Sequence, residues 1–194
     1  LHDTIRQQAL FDYTWVLLIN NPDSALEYAE TLLDFSLKSK SKKYEAKSSL
    51  LIGMSLLEKS NYVEAERQFN KSILISQAID DITTEAMAYC QLAGSFYRRG
   101  ELSQSFINTN KSLKLAEESR NSQVLAWAHN AIGCIYMDKN ELAKARDHFS
   151  KSLSFAILAR DTSCMAVTMG NTGNTYDNNL IKQMECYELS LKWT

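Results

Sequence analysis

The sequence lacks a strong charge of either sign: 21 lysines and arginines face 23 aspartates and glutamates, for a net charge of -2. A dedicated nucleic-acid binder carries a strongly basic face, so this balance argues against nucleic acid as a partner. One dense basic run is present, formed by Lys38, Lys40, Lys42, Lys43 and Lys47. We interpret this run as a solvated helix end, where cations complement the helix dipole, with a phosphate or lipid surface as the alternative.

Long apolar runs are also absent. No stretch reaches the roughly 18 apolar residues of a membrane-spanning helix, and no charged-then-apolar leader opens the chain, which begins at Leu1. We therefore expect no targeting segment and no direct membrane insertion in this chain.

The cysteines lack the spacing of a metal or redox motif. Cys90, Cys134, Cys164 and Cys186 contain no C-x-x-C pair, which argues against a zinc ribbon or a redox centre. We interpret them as isolated core thiols. They slightly favour a reducing compartment such as the cytoplasm, while an extracytoplasmic sensor region stays open.

The sequence also contains no group of residues with the spacing of a catalytic or metal site. His2, His129 and His148 are isolated in the sequence, and no third ligand has the spacing of a zinc site. We expect His129 to be a packing residue. The segment GNTGNTY at 170–176 has neither of the glycine spacings that cradle phosphates. We expect no catalytic residue, no metal and no cofactor.

The sequence does contain a repeat. Four glycines are separated by 41, 39 and 40 residues: Gly53, Gly94, Gly133 and Gly173. An aromatic residue or leucine follows each of them after three residues: Leu56, Tyr97, Tyr136 and Tyr176. Four candidate N-caps recur every 40 residues: Ser41, Asp81, Asn121 and Asp161.

Apolar residues between these landmarks recur at three- and four-residue intervals, as in 44–59, 84–99 and 124–139. This spacing predicts helices throughout and no strands, so the expected fold class is all-α. Pro22 suits the first turn of a helix.

A glycine inside a helical pattern indicates a close crossing of two helices, at a cost of about 1 kcal/mol in helix propensity. Small and aromatic partners stand on the second helix in two repeats, Ala65 with Phe69 and Ala145 with Phe149. The repeat of Gly94 is one residue shorter between its landmarks and has Ser105 and Thr109 instead, so its packing is expected to differ. The last repeat is two residues shorter, which predicts an irregular turn.

These residues resemble the tetratricopeptide repeat. Its pattern W-x2-L-G-x2-Y…A-x3-F is matched in spacing by the fourth repeat, through His129, Ile132, Gly133, Tyr136, Ala145 and Phe149. The period of about 40 residues resembles the long-helix variety. The resemblance implies helix-turn-helix repeats stacked into a right-handed α-solenoid, with 1–194 as one domain. The expected repeats are 4–40, 41–80, 81–120, 121–160 and 161–194, the last incomplete or irregular.

A second resemblance covers residues 9–75. The segment NPDSALEYA and the repeat after it are similar to sensor regions that precede output domains in bacterial signalling proteins. This resemblance implies a non-catalytic module that binds a protein or peptide, as the sensory or scaffolding region of a larger bacterial signalling protein. The alternative is a structural segment that dimerises or transmits a signal, with no ligand in its groove.

The family resemblance also implies a concave groove lined by the first helix of each repeat. Carried over, the ligand-facing positions are Leu50, Met54, Leu57, Glu58, Gln91, Ser95, Arg98, Arg99, Asn130, Cys134, Met137, Asp138, Asn171, Asn174, Asp177 and Asn178, with Lys47, Ala88, Trp127 and Val167 added six residues before the glycines. The expected peptide-binding residues among them are Gln91, Arg98, Arg99, Trp127, Asn130, Asn171 and Asn174.

The expected roles differ by residue type. Asn171 and Asn174 match asparagines that hold the backbone of an extended peptide in long-helix relatives, and an amide suits a peptide bond because it both donates and accepts. Arg98, Arg99 and Trp127 are expected to set a preference for acidic or apolar side chains. At the chain end, no repeat follows the segment YELSLKW, so we expect Tyr187, Leu191 or Trp193 to be partly exposed or covered by a second copy.

Overall fold

The protein is described by a computed structural model that covers residues 2–176 and 179–192. All regular structure in these residues is helical. The helices are α1 (His2–Asn20), α2 (Pro22–Lys38), α3 (Lys42–Glu58), α4 (Tyr62–Ala78), α5 (Ile82–Arg98), α6 (Leu102–Ser119), α7 (Ser122–Asp138), α8 (Leu142–Ala159), α9 (Thr162–Asn174) and α10 (Leu180–Leu191). The predicted all-α class is confirmed.

A 20-residue period underlies this order, because every helix from α2 to α9 begins 20 residues after the one before it. The turns repeat with it. The residue just before the N-cap has a left-handed φ, between 53° and 78°, at Lys40, Ser60, Asp80, Gly100, Arg120, Asn140 and Arg160. A left-handed residue reverses the chain at a helix C-terminus and lets its N–H bond the last free carbonyls.

Side-chain caps are present at the predicted positions from α5 onward. Asp81, Asn121 and Asp161 each accept a hydrogen bond from the backbone N–H three residues later, as predicted. Ser41 stands at the N-cap of α3 but its side chain makes no capping bond. Pro22 begins α2, where its missing N–H leaves no donor unsatisfied.

The chain forms two compact units. Unit 1 is Leu1–Arg99 and holds α1 to α5, and unit 2 is Gly100–Thr194 and holds α6 to α10. In unit 1 the core combines a cluster around Leu18, Leu32 and Leu51 with a second around Phe69 and Leu92. In unit 2 the side chains of Ala126, Ala156 and Cys164 meet in one cluster. The prediction of a single repeat domain over 1–194 stays a prediction.

Glycines lie at three close helix crossings. A Cβ built on Gly53 would lie 2.5 Å from the ring of Phe69, and one on Gly133 would lie 2.4 Å from the ring of Phe149. At Gly173 the nearest atom would be in the ring of Tyr187, 2.9 Å away. The predicted reason for these glycines is confirmed, since the aromatic ring of the second helix occupies the space of a side chain.

Gly94, however, does not lie at such a crossing, and its assignment to the glycine series is wrong. The three crossing glycines each stand twelve residues after the N-cap of their helix, and twelve residues after Asp81 stands Ala93. Ala93 is fully buried, whereas a Cβ on Gly94 would meet no heavy atom within 4 Å. The apparent one-residue shortening of that repeat was a consequence of counting from Gly94.

In two helix pairs, a serine on the second helix donates a hydrogen bond to the first helix. Ser72 on α4 donates to the carbonyl of Ala46 at 2.9 Å, and Ser190 on α10 donates to the carbonyl of Ala166 at 2.8 Å. Both acceptors stand seven residues before the crossing glycine. The segments NKSIL and ELSLKW therefore repeat because their serine makes the same contact.

The last helix pair departs from the period, as predicted. α9 has 13 residues where α7 has 17, and the N-cap of α10 is Asn179. Tyr187 is 37% exposed and Leu191 is 73% exposed, which confirms the expected uncovered face. Trp193 and Thr194 lie outside the described residues.

Candidate functional site

Two asparagines on neighbouring first helices form the centre of the candidate site in unit 2. The Nδ2 of Asn171 on α9 donates to the Oδ1 of Asn130 on α7 at 3.1 Å and to the Sγ of Cys134 at 3.4 Å. The hydroxyl of Thr168 lies 3.4 Å from the same Asn130 oxygen. The sequence prediction placed Asn130 and Asn171 in one groove, and the structure brings their side chains into contact.

The pairing leaves one donor and one acceptor. Within residues 2–176 and 179–192, no group accepts from the Nδ2 of Asn130 and none donates to the Oδ1 of Asn171. Asn130 is buried and Asn171 half-buried, and the hydrogen bond between them sets the relative orientation of the two amides. The site can therefore offer a donor and an acceptor side by side.

Asn174 lies one helical turn beyond Asn171 on α9. Its Oδ1 accepts a hydrogen bond from the hydroxyl of Tyr187 on α10 at 2.5 Å, and its side chain is exposed. No group among the described residues accepts a hydrogen bond from the Nδ2 of this amide. Asp177 and Asn178, the other predicted positions on this segment, lie outside the described residues.

Trp127 on α7 is anchored to the cap of α9. Its indole N–H donates to the Oδ2 of Asp161 at 3.0 Å, and Gln123 donates to the same oxygen at 3.1 Å. The other carboxylate oxygen of Asp161 caps α9 through the N–H of Cys164. The half-buried indole is therefore fixed in orientation by the residue that starts the next first helix.

The thiol beside the asparagines is inert. Burial, followed by the charge of the nearby Asp138, raises the pKa of Cys134 to about 12. Since the thiolate is the nucleophilic form, this cysteine stays a neutral, weakly polar contact at physiological pH. Burial likewise raises the pKa of Cys164 to about 11.

A histidine pair lies between α7 and α8, and the sequence prediction of isolated histidines missed it. The Nδ1 atoms of His129 and His148 are 3.2 Å apart, and His129 stacks on Phe155 with ring centroids 5.7 Å apart. Burial, followed by the charge of His148, lowers the pKa of His129 to about 4. His129 does pack as predicted. No spacing in the sequence indicates this pair, because it depends on how the side chains of α7 and α8 pack together.

In the described parts of the chain, no three metal-ligating side chains come together as a metal site. No helix there has the length and apolar character to cross a membrane.

No protein-family model matches the chain, and no curated protein matches it. Solved structures do match. A Rap protein complexed with the competence and sporulation factor aligns with a TM-score of 0.81 and 16% identity, over 97% of this chain and 53% of that protein. BtubC from P. vanneervenii aligns at 0.71 and 16% identity, over 99% of this chain and 82% of that protein.

A third match is a signal transduction ATPase from Pyrococcus horikoshii with a tetratricopeptide repeat sensor, with a TM-score of 0.67 and 14% identity. The chain has the tetratricopeptide-repeat fold. The match to the ATPase covers 96% of this chain but 30% of the ATPase. The match to the Rap protein covers about half of that protein. Identities this low establish the fold alone.

In unit 1, the two arginines predicted for the groove, Arg98 and Arg99, contact different helices. Counted from Ala93, Arg98 stands at the same position as Glu58 of the preceding first helix, and the two form an ion pair at 2.7 Å. Arg98 also donates to the carbonyl of Leu57 at 3.2 Å, at the end of α3. Its charge is thus partly neutralised within the chain.

Arg99 points to a different helix. Its guanidinium lies 3.0 Å from Glu66 on α4, and the hydroxyl of Ser95 donates to the same carboxylate at 2.9 Å. Because counting from Gly94 displaced the third repeat by one residue, Ser95 and Arg99 were assigned to groove positions although their side chains contact α4. Gln91, assigned by the same count, is half-buried on α5.

Proposed function

We propose that this chain is a non-catalytic module that binds an extended peptide or protein segment through α7 and α9 of unit 2. One observation carries the proposal: the contact between Asn130 and Asn171 leaves the Nδ2 of Asn130 as a donor and the Oδ1 of Asn171 as an acceptor without partners among the described residues. A peptide unit presents one N–H and one C=O, so two such groups match it regardless of the side chains on the ligand.

The spacing along α9 supports an extended ligand. Residues three apart on a helix have side chains about 5–6 Å apart, which places Asn171 and Asn174 on one face. An extended strand repeats every two residues, at about 6.6–6.8 Å. The Nδ2 of Asn174 can therefore donate to a second carbonyl of the same strand, because its own oxygen is occupied by Tyr187.

Side-chain preference would come from the surroundings of this amide row. The half-buried indole of Trp127 offers an apolar surface whose orientation is fixed by Asp161. The charge of Arg98, on α5 of unit 1, is partly neutralised by Glu58. We therefore favour an apolar over an acidic side chain beside the amides.

The module fits the sensory or scaffolding part of a bacterial signalling protein. Two structural neighbours support this context through their own descriptions, one a Rap protein in complex with the competence and sporulation factor and one an ATPase with a tetratricopeptide repeat sensor. Both are longer than this chain, which would then form one part of a larger protein.

The test is selection of binders from a random peptide library, followed by calorimetric titration of the best peptide. Removing an amide leaves a desolvated peptide group unpaired, at about 1–3 kcal/mol, so Asn171→Ala and Asn174→Ala should each weaken binding roughly 5- to 150-fold. Asn110→Ala is the matched control, since Asn110 is an exposed asparagine on α6.

A second control is Lys151→Ala, on the exposed side of α8. Both controls should bind like the parent protein. Equal affinity for all four variants would exclude the asparagine site, and failure to select any peptide would favour the structural alternative. Replacing backbone amides of the selected peptide by esters should weaken binding at the positions facing Asn130 and Asn171, which separates backbone from side-chain recognition.

A further inference from the structure

Two imidazole nitrogens face each other between α7 and α8. The Nδ1 atoms of His129 and His148 are 3.2 Å apart, and the centroids of the two rings are 5.3 Å apart. Both residues are half-buried, so each ring is held by packing and still has access to solvent. Asn130, by contrast, makes its side-chain contacts with α9. The histidine pair is therefore a feature of the α7–α8 helix pair and is separate from the asparagine site.

Neighbouring aromatic rings fix the two imidazoles in place. His129 stacks on Phe155 with the ring planes 6° apart. His148 lies beside Tyr136, with ring centroids 5.5 Å apart, and directly precedes Phe149, whose ring fills the close crossing of α7 and α8. Because this crossing sets the distance between the two helices, the fold itself brings the two nitrogens together.

The repeat fold does not require histidine at these two positions. They stand four residues before and fifteen residues after the residue at the helix crossing. In α3 and α4 the same positions hold Ser49 and Gln68, and in α5 and α6 they hold Tyr89 and Asn108. A pair of metal-ligating side chains at this place is therefore particular to α7 and α8.

The observed distances match two imidazoles bound to one tetrahedral metal ion. With metal–nitrogen bonds of about 2.0–2.1 Å, a tetrahedral angle separates two ligand nitrogens by about 3.3–3.4 Å, and a right angle by about 2.8–3.0 Å. An imidazole ring has a radius of about 1.15 Å, so the centroids of two rings on a tetrahedral ion are about 5.1–5.3 Å apart. The observed separations of 3.2 Å and 5.3 Å are nearest to the tetrahedral case.

Both imidazoles are neutral at physiological pH. Burial, followed by the charge of His148, lowers the pKa of His129 to about 4, and burial also lowers the pKa of His148. A metal ion binds an unprotonated nitrogen, so no ionised imidazole has to lose a proton first. Without metal, the Nδ1–H of one ring donates to the Nδ1 of the other. On binding, that proton transfers through solvent to the Nε2 of its own ring, so both Nδ1 lone pairs face the ion and no net proton is released.

The charged residues beside the pair balance each other. Lys151 and Asp147 form an ion pair at 2.7 Å on the exposed side of α8. The charge of the lysine lowers the pKa of both imidazoles and that of the aspartate raises it. Their fields at the two rings are thus of opposite sign, and the ion pair does not exclude a cation.

We propose that His129 and His148 bind one divalent transition-metal ion of tetrahedral preference, Zn²⁺ being the ion that fits best, with two water molecules as its other ligands. The sequence predicted no metal site, because the two residues stand 19 apart on different helices. No third protein ligand joins them within residues 2–176 and 179–192, so water has to complete the tetrahedron. A bound ion joins α7 to α8 and stabilises unit 2 against unfolding.

Calorimetric titration of the metal-free chain with Zn²⁺ at neutral pH tests the site. The parent should bind one Zn²⁺ ion, and its melting temperature should rise with the Zn²⁺ concentration. His129→Phe and His148→Gln each remove one ligand and should weaken binding by at least the roughly 10- to 100-fold that loss of an outer-shell partner costs. Mg²⁺ should not bind, because it prefers oxygen ligands.

Matched controls separate the pair from other ligands of zinc. His2→Gln removes an exposed histidine outside the pair, and Cys134→Ala removes a thiol of α7, and both variants should bind Zn²⁺ like the parent. His148→Gln introduces the residue that α4 has at the same position, Gln68, so this variant is expected to fold. Circular dichroism of the metal-free proteins should show equal helicity.

Co²⁺ gives a second readout that needs no substitution. A tetrahedral Co²⁺ site absorbs visible light far more strongly than the octahedral ion in water, and added Zn²⁺ should abolish this band by displacement. An octahedral Co²⁺ spectrum would overturn the proposal. Equal Zn²⁺ binding by the parent and both histidine-pair variants, or no binding by the parent, would overturn it too and leave a simple hydrogen bond between neutral imidazoles. No peptide enters these titrations, so their outcome is independent of the asparagine site.

Discussion

The ring of Phe149 occupies the space that a side chain on Gly133 would enter, with a ring carbon 2.4 Å from the position of a Cβ. The ring is fully buried, so it has little freedom to move aside. The same relationship joins Gly53 to Phe69 eighty residues earlier. The glycine is thus a packing residue, and its flexibility plays no part in it.

Gly133→Leu should therefore destabilise unit 2. The branched side chain must displace Phe149 or separate α7 from α8, and overpacking of this kind costs about 1–3 kcal/mol or more. Urea unfolding followed by circular dichroism measures the loss. An unchanged midpoint would show that the crossing can open at no cost.

Gly94→Ala is the matched control for this substitution. A Cβ there meets no heavy atom within 4 Å, so the helix gains the propensity of alanine without a clash. We expect α5 to be stabilised by roughly 0.5–1 kcal/mol. Destabilisation by Gly94→Ala would mean that this glycine, too, has a close neighbour.

Two buried serines on α4 should respond in opposite ways. Ser72 donates to the carbonyl of Ala46, whereas Ser76, one turn later, is a fully buried hydroxyl with no partner among the described residues. Ser72→Ala should cost about 1 kcal/mol, the net value of a buried hydrogen bond. Ser76→Ala should be neutral or stabilising, because it removes an unsatisfied polar group. Equal effects in thermal melts would contradict this contrast.

Much of the fold could be predicted from regular spacing. The 40-residue recurrence of Ser41, Asp81, Asn121 and Asp161 placed the start of four helices. This was possible because N-capping depends on a single residue with a short polar side chain. The crossing glycines were predictable for a similar reason, since a glycine in a helix needs a cause. Gly94 was wrongly assigned to the crossing because the residue at that position is its neighbour Ala93, and an alanine inside a helix does not indicate a crossing.

The candidate site was harder to predict. The repeat register placed Asn130 and Asn171 in one groove, but their contact was not predictable from it, because they stand three and two residues before their crossing glycines and are not equivalent positions. The contact of Arg99 with Glu66 was not predicted either, because a shift of one residue turns a side chain by about 100° around the helix. The pairing of His129 with His148 depends on side-chain packing across two helices, which spacing alone does not encode.

The left-handed residues before the N-caps of α3 to α9 lead to a further prediction. Arg160 has a φ of 54° and Gly100 a φ of 78°. A left-handed residue other than glycine is strained by about 1 kcal/mol, so Arg160→Gly should stabilise unit 2 by roughly 0.5–1 kcal/mol. Gly100→Ala should destabilise by a similar amount. A lower melting temperature for Arg160→Gly would show that the arginine makes contacts that outweigh the strain.

The histidine pair should make unit 2 sensitive to acid. Burial and the neighbouring His148 lower the pKa of His129 to about 4 in the folded chain, from an ordinary value of 6.5, and burial also lowers the pKa of His148. Between pH 6.5 and 4 the unfolded chain therefore binds more protons than the folded one, and the free energy of unfolding falls as the pH falls. Exposed Lys151 opposes protonation and Asp147 favours it.

His129→Phe isolates this effect, because a phenyl ring can keep the stacking on Phe155 but has no proton to bind. Each pKa unit corresponds to 1.36 kcal/mol, and since the ring is only half-buried we expect the parent to lose about 1–2 kcal/mol more than the variant between pH 7 and 4.5. Urea unfolding at a series of pH values measures the difference, with the exposed His2→Gln as control. Parallel pH profiles for parent and His129→Phe would mean that the pair is already protonated in the folded protein, or that its proton is bound equally well after unfolding.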